Sequence, residues 1–270
     1  MKQAHAIFFT TLAVAALNVA LPQAMAQGDS AEHTKKGIEL AKQKQYDKAA
    51  EEFGLAMKAD PNDAKHYLNR GRAYRAAGKF DQAAADFSKL IEMEPQGSNG
   101  YSERGKTRVS QKKFDEAIED LSKAIQIDDA DVDSYRFRAF AYLSKNQFDK
   151  AVEDYSSVLE EKKNDPQALE RRAFCYSSLK QWDKAIEDLS AFIKQQPKDA
   201  EAYRRRGYAY SQSGDNAKAL ADYQKVVELK PGDQDAQNAI KAVQSRSGAG
   251  GKPAPAGAAS PAAAPAASPH

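Results

Sequence analysis

Residues 67–95 read YLNRGRAYRAAGKFDQAAADFSKLIEMEP, and residues 203–231 read YRRRGYAYSQSGDNAKALADYQKVVELKP. Laid over one another without a gap, they share Tyr67/Tyr203, Gly71/Gly207, Tyr74/Tyr210, Ala83/Ala219, Phe87/Tyr223 and Pro95/Pro231. The same register extends in both directions. Ala49, Ala83, Ala117, Ala151, Ala185 and Ala219 stand 34 residues apart, and so do Gly37, Gly71, Gly105, Ala139, Ala173 and Gly207. Self-similarity at this period predicts a solenoid, in which each unit buries its apolar face only against its neighbours.

Six units numbered 1 to 34 begin at Ser30, Ala64, Ser98, Val132, Pro166 and Ala200. Within a unit, positions 4, 8 and 11 (Tyr67, Gly71 and Tyr74, for example) fall on one face of a helix. Position 15 breaks that helix. It holds Lys44, Gly78, Lys112, Asn146, Lys180 and Gly214, and glycine or asparagine there suits a left-handed turn. A second amphipathic helix follows, with an aromatic residue at position 17 (Tyr46, Phe80, Phe114, Phe148, Trp182) and a large one at position 24 (Phe53, Phe87, Leu121, Tyr155, Leu189, Tyr223). Pro61, Pro95, Pro197 and Pro231 at position 32 stop it, while Asp63, Asp131 and Asp165 stand where the next helix needs an N-cap.

This pattern resembles the tetratricopeptide repeat family: a large residue at 4, Gly or Ala at 8, Tyr at 11, an aromatic at 17, Ala at 20, an aromatic at 24 and Pro at 32. The resemblance covers about Ser30 to Pro231 and implies an all-α, right-handed solenoid of six helix-turn-helix repeats. Departures are local, with Arg108 at position 11 and Asp129 and Lys163 in place of proline. The opening helix is polar (His33, Glu39) and is expected to fray or to act as a cap. A further helix at about 233–244, with Ala236, Ala239, Ile240 and Val243 on one side, is expected to cap the last repeat, so that the solenoid spans 30–245.

The two ends have a different composition. Ile7, Phe8, Phe9, Leu12, Val14, Leu17 and Val19 make an apolar run after Lys2, and Ala24-Met25-Ala26 supplies the small residues of a signal-peptidase site. Residues 1–26 are therefore read as a cleaved signal peptide, with the mature chain starting near Gln27 in the periplasm and no stable membrane insertion afterwards. Residues 246–270 are almost entirely Ala, Pro, Gly and Ser and are expected to be disordered. Gly248 to Lys252 superficially suggests a phosphate loop, but Pro253 replaces the required hydroxyl residue.

Composition narrows the function. Between Ser30 and Ser245 there are 37 basic and 37 acidic residues, so a general attraction for nucleic acid is not expected. Cys175 is the only cysteine and occupies a position filled by Ala73, Ala141 and Ala209 elsewhere, which makes it a small buried residue rather than a redox centre. His33 and His66 offer no metal-binding spacing, no nucleophile–base arrangement can be read, and no enzyme activity or cofactor is expected.

Position 7 is always basic (Lys36, Arg70, Arg104, Arg138, Arg172, Arg206), and position 23 is always acidic (Glu52, Asp86, Asp120, Asp154, Asp188, Asp222). Pairing across the two helices of each unit is predicted. In the family, first helices line a concave groove with positions 2, 5, 6, 9, 12 and 13. The resemblance thus implies a groove for a protein or peptide that includes Asn69, Arg72, Arg75 and Lys106 on its basic side. Arg136, Phe140, Arg171, Phe174, Arg204 and Tyr208 would form its aromatic side, with Phe137, Leu143 and Arg205 nearby. Exposed Phe140, Phe174 and Tyr208 bordered by arginines would suit an extended partner with apolar and acidic side chains; packing between helices is the other reading of these rings. The family's carboxylate clamp is not supported, because Thr34 and Ile38 precede Asn69 where Lys and Asn are needed. An exported scaffold is the leading expectation. A receptor for a small ligand such as a glycan fragment, or an accessory subunit of an envelope enzyme, are the alternatives.

Overall fold

The computed structural model describes residues 28–248; the leader expected over 1–26 and residues 249–270 of the expected tail lie outside them. Among the described residues there are thirteen helices and no strand. Helix α1 covers residues 28–42, and the others are α2 (Tyr46–Ala59), α3 (Ala64–Ala76), α4 (Phe80–Met93), α5 (Ser98–Ser110), α6 (Phe114–Ile127), α7 (Val132–Ser144), α8 (Phe148–Glu161), α9 (Pro166–Ser178), α10 (Trp182–Gln195), α11 (Ala200–Ser213), α12 (Asn216–Leu229) and α13 (Gln234–Gly248). They form two compact units, one ending at Lys112 with α1–α5 and the other starting at Lys113 with α6–α13.

Each helix boundary has a local cause. Among the described residues, those with left-handed backbone are Lys44, Gly78, Lys112, Asn146, Lys180 and Gly214, all at position 15. Only glycine enters that region without steric cost, so the lysines there are held by the hairpins they close. Aspartates cap the first helices: Asp63 accepts from the Lys65 amide, Asp165 from Ala168 and Asp199 from Ala202. Helices α6 and α8 end in register although Asp129 and Lys163 replace the expected proline, so the turn does not depend on that ring.

Small residues set the distance between helices. Ala49, Ala83, Ala117, Ala151, Ala185 and Ala219 are wholly buried. In the first unit, a Cβ added to Gly37 or Gly71 would lie 2.7 Å from a ring carbon of Phe53 or Phe87, respectively, so the bulky position-24 ring occupies the space that a side chain at position 8 would need. The core of the second unit gathers Tyr155, Val158, Leu159, Leu169 and Phe192. Phe137 and Leu143, expected beside the groove, are instead buried. Cys175 is buried too, and burial pushes its thiol up to about 12, well away from thiolate chemistry.

The polar first helix is pinned rather than loose. Glu52 on α2 receives both His33 Nδ1 at 2.7 Å and the Lys36 ammonium. At the other end, α13 buries Ala236, Ala239 and Val243 and exposes Gln234, Asp235, Asn238 and Lys241, the two faces a terminal cap needs. It runs to Gly248, further than the apolar pattern indicates. Arg246 in its last turn favours the negative helix terminus and donates to Ser211 Oγ at 3.1 Å.

The charge pairs predicted from the repeat are present within the units. Arg70 grips Asp86 with two hydrogen bonds of 2.8 and 2.6 Å, and Arg138–Asp154, Arg172–Asp188 and Arg206–Asp222 repeat this geometry. The arginines also reach backwards along the stack, a contact that the sequence reading missed. Arg104, Arg138, Arg172 and Arg206 donate to Ser88, Ser122, Ser156 and Ser190, each at position 25 of the preceding repeat, at 2.9–3.1 Å. Burial pushes the Asp154 and Asp188 carboxyls up against the pull of Arg138 and Arg172, whose guanidiniums these carboxylates in turn hold in the charged form. Asp188→Ala is accordingly expected to destabilise the chain by about 3 kcal/mol, because Arg172 loses its partner. Arg172→Met with Asp188→Leu should recover most of that loss, which urea unfolding of the four members of the cycle would measure.

Candidate functional site

The first helices carry the residues expected to meet a partner. In the first unit, α3 packs on α5, and α1 is tied to α3 through buried His66, whose Nε2 is hydrogen-bonded to Ser30 Oγ at 2.9 Å. Thr34 Oγ1 lies 3.5 Å from His66 Nδ1, and Asp63 lies 3.8 Å from Nε2. Between α1 and α3 opens a groove of about 700 Å³. Thr34, Lys35, Ile38 and Lys42 form one wall, and Lys65 and Asn69 the other. These are six of the positions expected to face a ligand, here placed together by the packing of two helices. Ile38 is 41 % exposed, so an apolar side chain of branched shape is left facing water in the middle of this wall.

The predicted basic residues beyond Asn69 converge on one carboxylate. Arg72 donates to Glu103 Oε1 through Nε at 3.1 Å and Nη2 at 2.9 Å, while Arg75 Nη2 reaches Oε2 at 2.8 Å. The Lys106 ammonium stands 3.8 Å from the same carboxylate. Glu103 is only 4 % exposed. Burial would raise its carboxyl, but Lys106, Arg75 and Arg72 together hold it below the usual carboxylate range. Three cations thus surround one anion, and the Arg72 side chain stays about half exposed.

In the second unit the predicted aromatic row is partly buried. Phe140 packs edge-on against Phe114 with ring centroids 6.4 Å apart, Phe174 against Phe148 at 6.1 Å, and Tyr208 against Trp182 at 5.8 Å. Position 9 of one repeat therefore stacks on position 17 of the repeat before it, a geometry typical of aromatic pairs. The space among Phe174, Arg205 and Tyr208 is about 10 Å³, no more than one water needs. Arg171 is buried with its guanidinium 4.8 Å over the Phe140 ring. Arg136 pairs with Asp133 and with the N-cap Asp165, Arg204 with Glu201 and Asp233, and Arg205 with Glu170 and Glu201.

The expected residues thus separate into two kinds. Asn69 lines an open groove, and Arg72 stands exposed one turn further along the same helix. Arg136, Phe140, Arg171, Phe174, Arg204 and Tyr208 are engaged with neighbours in the protein. Ile38 and His66 gain importance that the sequence reading did not give them. Their signal was present, since Ile38 is the one aliphatic residue at position 9 and His66 stands where later repeats have Gly100, Ser134, Ala168 and Ala202.

A family model described as Tetratricopeptide repeat matches residues 34–100, 68–132 and 176–234, and a second of the same description matches 108–169. The chain belongs to the tetratricopeptide repeat family. A search of curated proteins by sequence returns no match. Solved structures similar to this tetratricopeptide protein include YrrB, described as a TPR protein with an unusual peptide-binding site, at 23 % identity and a TM-score of 0.66 over 71 % of this chain and 99 % of that one. MamA aligns at 24 % identity and a TM-score of 0.58, over 62 % of this chain and 92 % of that one. PilF of Pseudomonas aeruginosa aligns at 14 % identity and a TM-score of 0.64, over 82 % of this chain and 98 % of that one. At these identities the likeness is one of fold.

The Glu103 cluster makes a pH-dependent contribution to folding. Its carboxyl is held below its unfolded value, so the stabilisation is complete above the ordinary carboxylate range and is lost as pH falls through the lowered folded value. Urea unfolding of the tetratricopeptide protein and of Glu103→Gln should therefore show a gap of about 1–3 kcal/mol at neutral pH that narrows on acidification towards about pH 3. A gap that widened on acidification would contradict this assignment.

Proposed function

We propose that this tetratricopeptide protein is a non-catalytic scaffold that holds an extended segment of a protein partner between α1 and α3. The observation that carries the reading is exposed Ile38 in a groove of about 700 Å³, flanked by Lys35, Lys42 and Asn69. An apolar anchor point with a few polar groups around it is the usual form of a recognition site. Membership of a repeat family whose members generally act as interaction scaffolds supports it, and so does the fold likeness to YrrB, described as having a peptide-binding site. A compact ligand held by Phe140, Phe174 and Tyr208 is less favoured, because those rings already stack on Phe114, Phe148 and Trp182.

Peptides selected by phage display on the immobilised chain should bind Ile38→Asp at least about tenfold more weakly, a loss of about 1.4 kcal/mol. Thermal unfolding should change little, because the side chain is exposed. Selected peptides that bound wild type and Ile38→Asp equally would place the site elsewhere.

Export completes the proposal. The apolar run from Ile7 to Val19 and the Ala24-Met25-Ala26 site support transport across the inner membrane and work in the periplasm. Among the described residues, no helix is long and apolar enough to cross a membrane. Residues 1–40 fused to alkaline phosphatase should give an active periplasmic enzyme, and N-terminal sequencing of the exported chain should begin at Gln27. An inactive fusion retained in the cytoplasm would remove this part of the reading.

A further inference from the structure

The chain as a whole is nearly neutral, but its groove-facing positions are not. On α1, α3 and α5 of the first unit, positions 2, 5, 6, 9, 12 and 13 carry six cations, Lys35, Lys42, Lys65, Arg72, Arg75 and Lys106, against one acid, Glu103. On α7, α9 and α11 of the second unit, the same positions carry four arginines and three acids. Those acids are joined to arginines as Asp133–Arg136, Glu170–Arg205 and Glu201–Arg204. The excess of positive charge is therefore concentrated in the first unit, and three of its six cations, Lys35, Lys42 and Lys65, stand exposed at the groove that also holds Ile38.

Three carboxylates share that groove. Asp60 accepts from the Asn62 amide, and Asp63 caps α3 by accepting from the Lys65 amide, so both already serve backbone donors. Glu39 is exposed on α1, next in sequence to Ile38. His66 is buried against Ser30 and Thr34 and does not add to the exposed charge.

We infer that the groove takes an extended peptide segment in which carboxylate side chains flank one apolar side chain. The inference rests on the peptide-scaffold reading above and adds the chemistry of the partner. Lys35 and Lys42 are seven residues apart on α1, two helical turns or about 10.5 Å, with Ile38 between them. An extended strand rises about 3.3 Å per residue and turns alternate side chains to one face, so acids four residues apart, about 13 Å, reach the two flexible ammonium groups while the apolar residue midway between them covers Ile38. Asn69 and Lys65 form the opposite wall, where the Asn69 amide can donate to and accept from a peptide backbone. A phosphate polyanion fits the same walls less well. It would leave Ile38 uncovered.

Fluorescence polarisation with the chain from Gln27 onward tests this assignment. The probe is a short leucine-centred acidic peptide, acetylated and amidated so that no terminal charge contributes. It is compared with its glutamine and asparagine isostere and with a labelled single-stranded oligonucleotide. The acidic peptide is expected to bind about tenfold or more tightly than the isostere, with an advantage that shrinks as salt is raised. Lys35→Glu combined with Lys42→Glu should abolish or reverse that advantage, whereas Ile38→Asp should weaken both peptides and keep the preference for the acidic one. Equal binding of acidic peptide and isostere by the wild-type chain overturns the inference and leaves the peptide-scaffold reading standing. Oligonucleotide binding that is tighter than peptide binding and lost on the same charge reversals overturns a peptide as the occupant. Binding of neither peptide, or binding indifferent to Ile38→Asp, removes the scaffold reading at this groove as well. Unchanged circular dichroism of both variants separates these outcomes from misfolding.

Discussion

In the second unit a single guanidinium joins three helices. Arg172 on α9 grips Asp188 on α10 of its own hairpin with two hydrogen bonds, and its remaining nitrogen donates to Ser156 on α8 of the hairpin before. Its carbon also lies 5.6 Å from the centre of the Tyr176 ring. Arg138 and Arg206 repeat the arrangement with Asp154 and Ser122, and with Asp222 and Ser190. A planar fork of donors is required here, because a lysine offers one compact charge and cannot address a carboxylate and a hydroxyl in fixed directions. The net stabilisation from such a buried pair is limited by desolvation, but its geometry is specific. It locks the register between the helices of a hairpin and between successive hairpins, and apolar packing on the alanine and glycine rows then supplies the bulk of the stabilisation.

That economy of cations decides where a partner can be met. Most groove-facing arginines of the second unit are neutralised by acids within the protein, and its groove-facing rings stack on the aromatic residues of the preceding repeat. They hold hairpins together and leave little unsatisfied chemistry at the surface. The first unit differs at the same positions. Arg72, Arg75 and Lys106 converge on Glu103, while Lys35, Lys42 and Ile38 meet solvent at the groove. One repeated design thus leaves a distinct candidate site where the design is incomplete, along its polar opening helix.

The fold was legible because it repeats. Six alanines at one spacing, a left-handed turn at position 15 and an invariant basic–acidic pair are visible without coordinates, and each has a mechanical reason to recur. The serine at position 25 recurs in four of the six repeats (Ser88, Ser122, Ser156, Ser190), but its role is not legible in one repeat, since its partner lies in the next. The candidate site was less legible. Asn69 is on the open groove, but Arg136, Arg204 and Arg205 look like free cations in the sequence and are revealed as paired only when Asp165, Asp233 and Glu170 are brought beside them. Phe140, Phe174 and Tyr208 are ambiguous for the same reason, because a ring at a surface position becomes packing once Phe114, Phe148 or Trp182 is placed against it.

Sequence alone determined the all-α repeat, its register and the intrahairpin charge pairs, since these follow from helical spacing and from rows of residues that share one environment. Tertiary structure decided which of the non-repeating side chains are available to a partner. Availability depends on contacts between residues about 30 positions apart, such as Arg72 with Glu103 or His66 with Ser30. Those contacts arise only when one first helix packs beside the next, and they separate an exposed isoleucine ringed by lysines from arginines and aromatic rings already engaged within the stack.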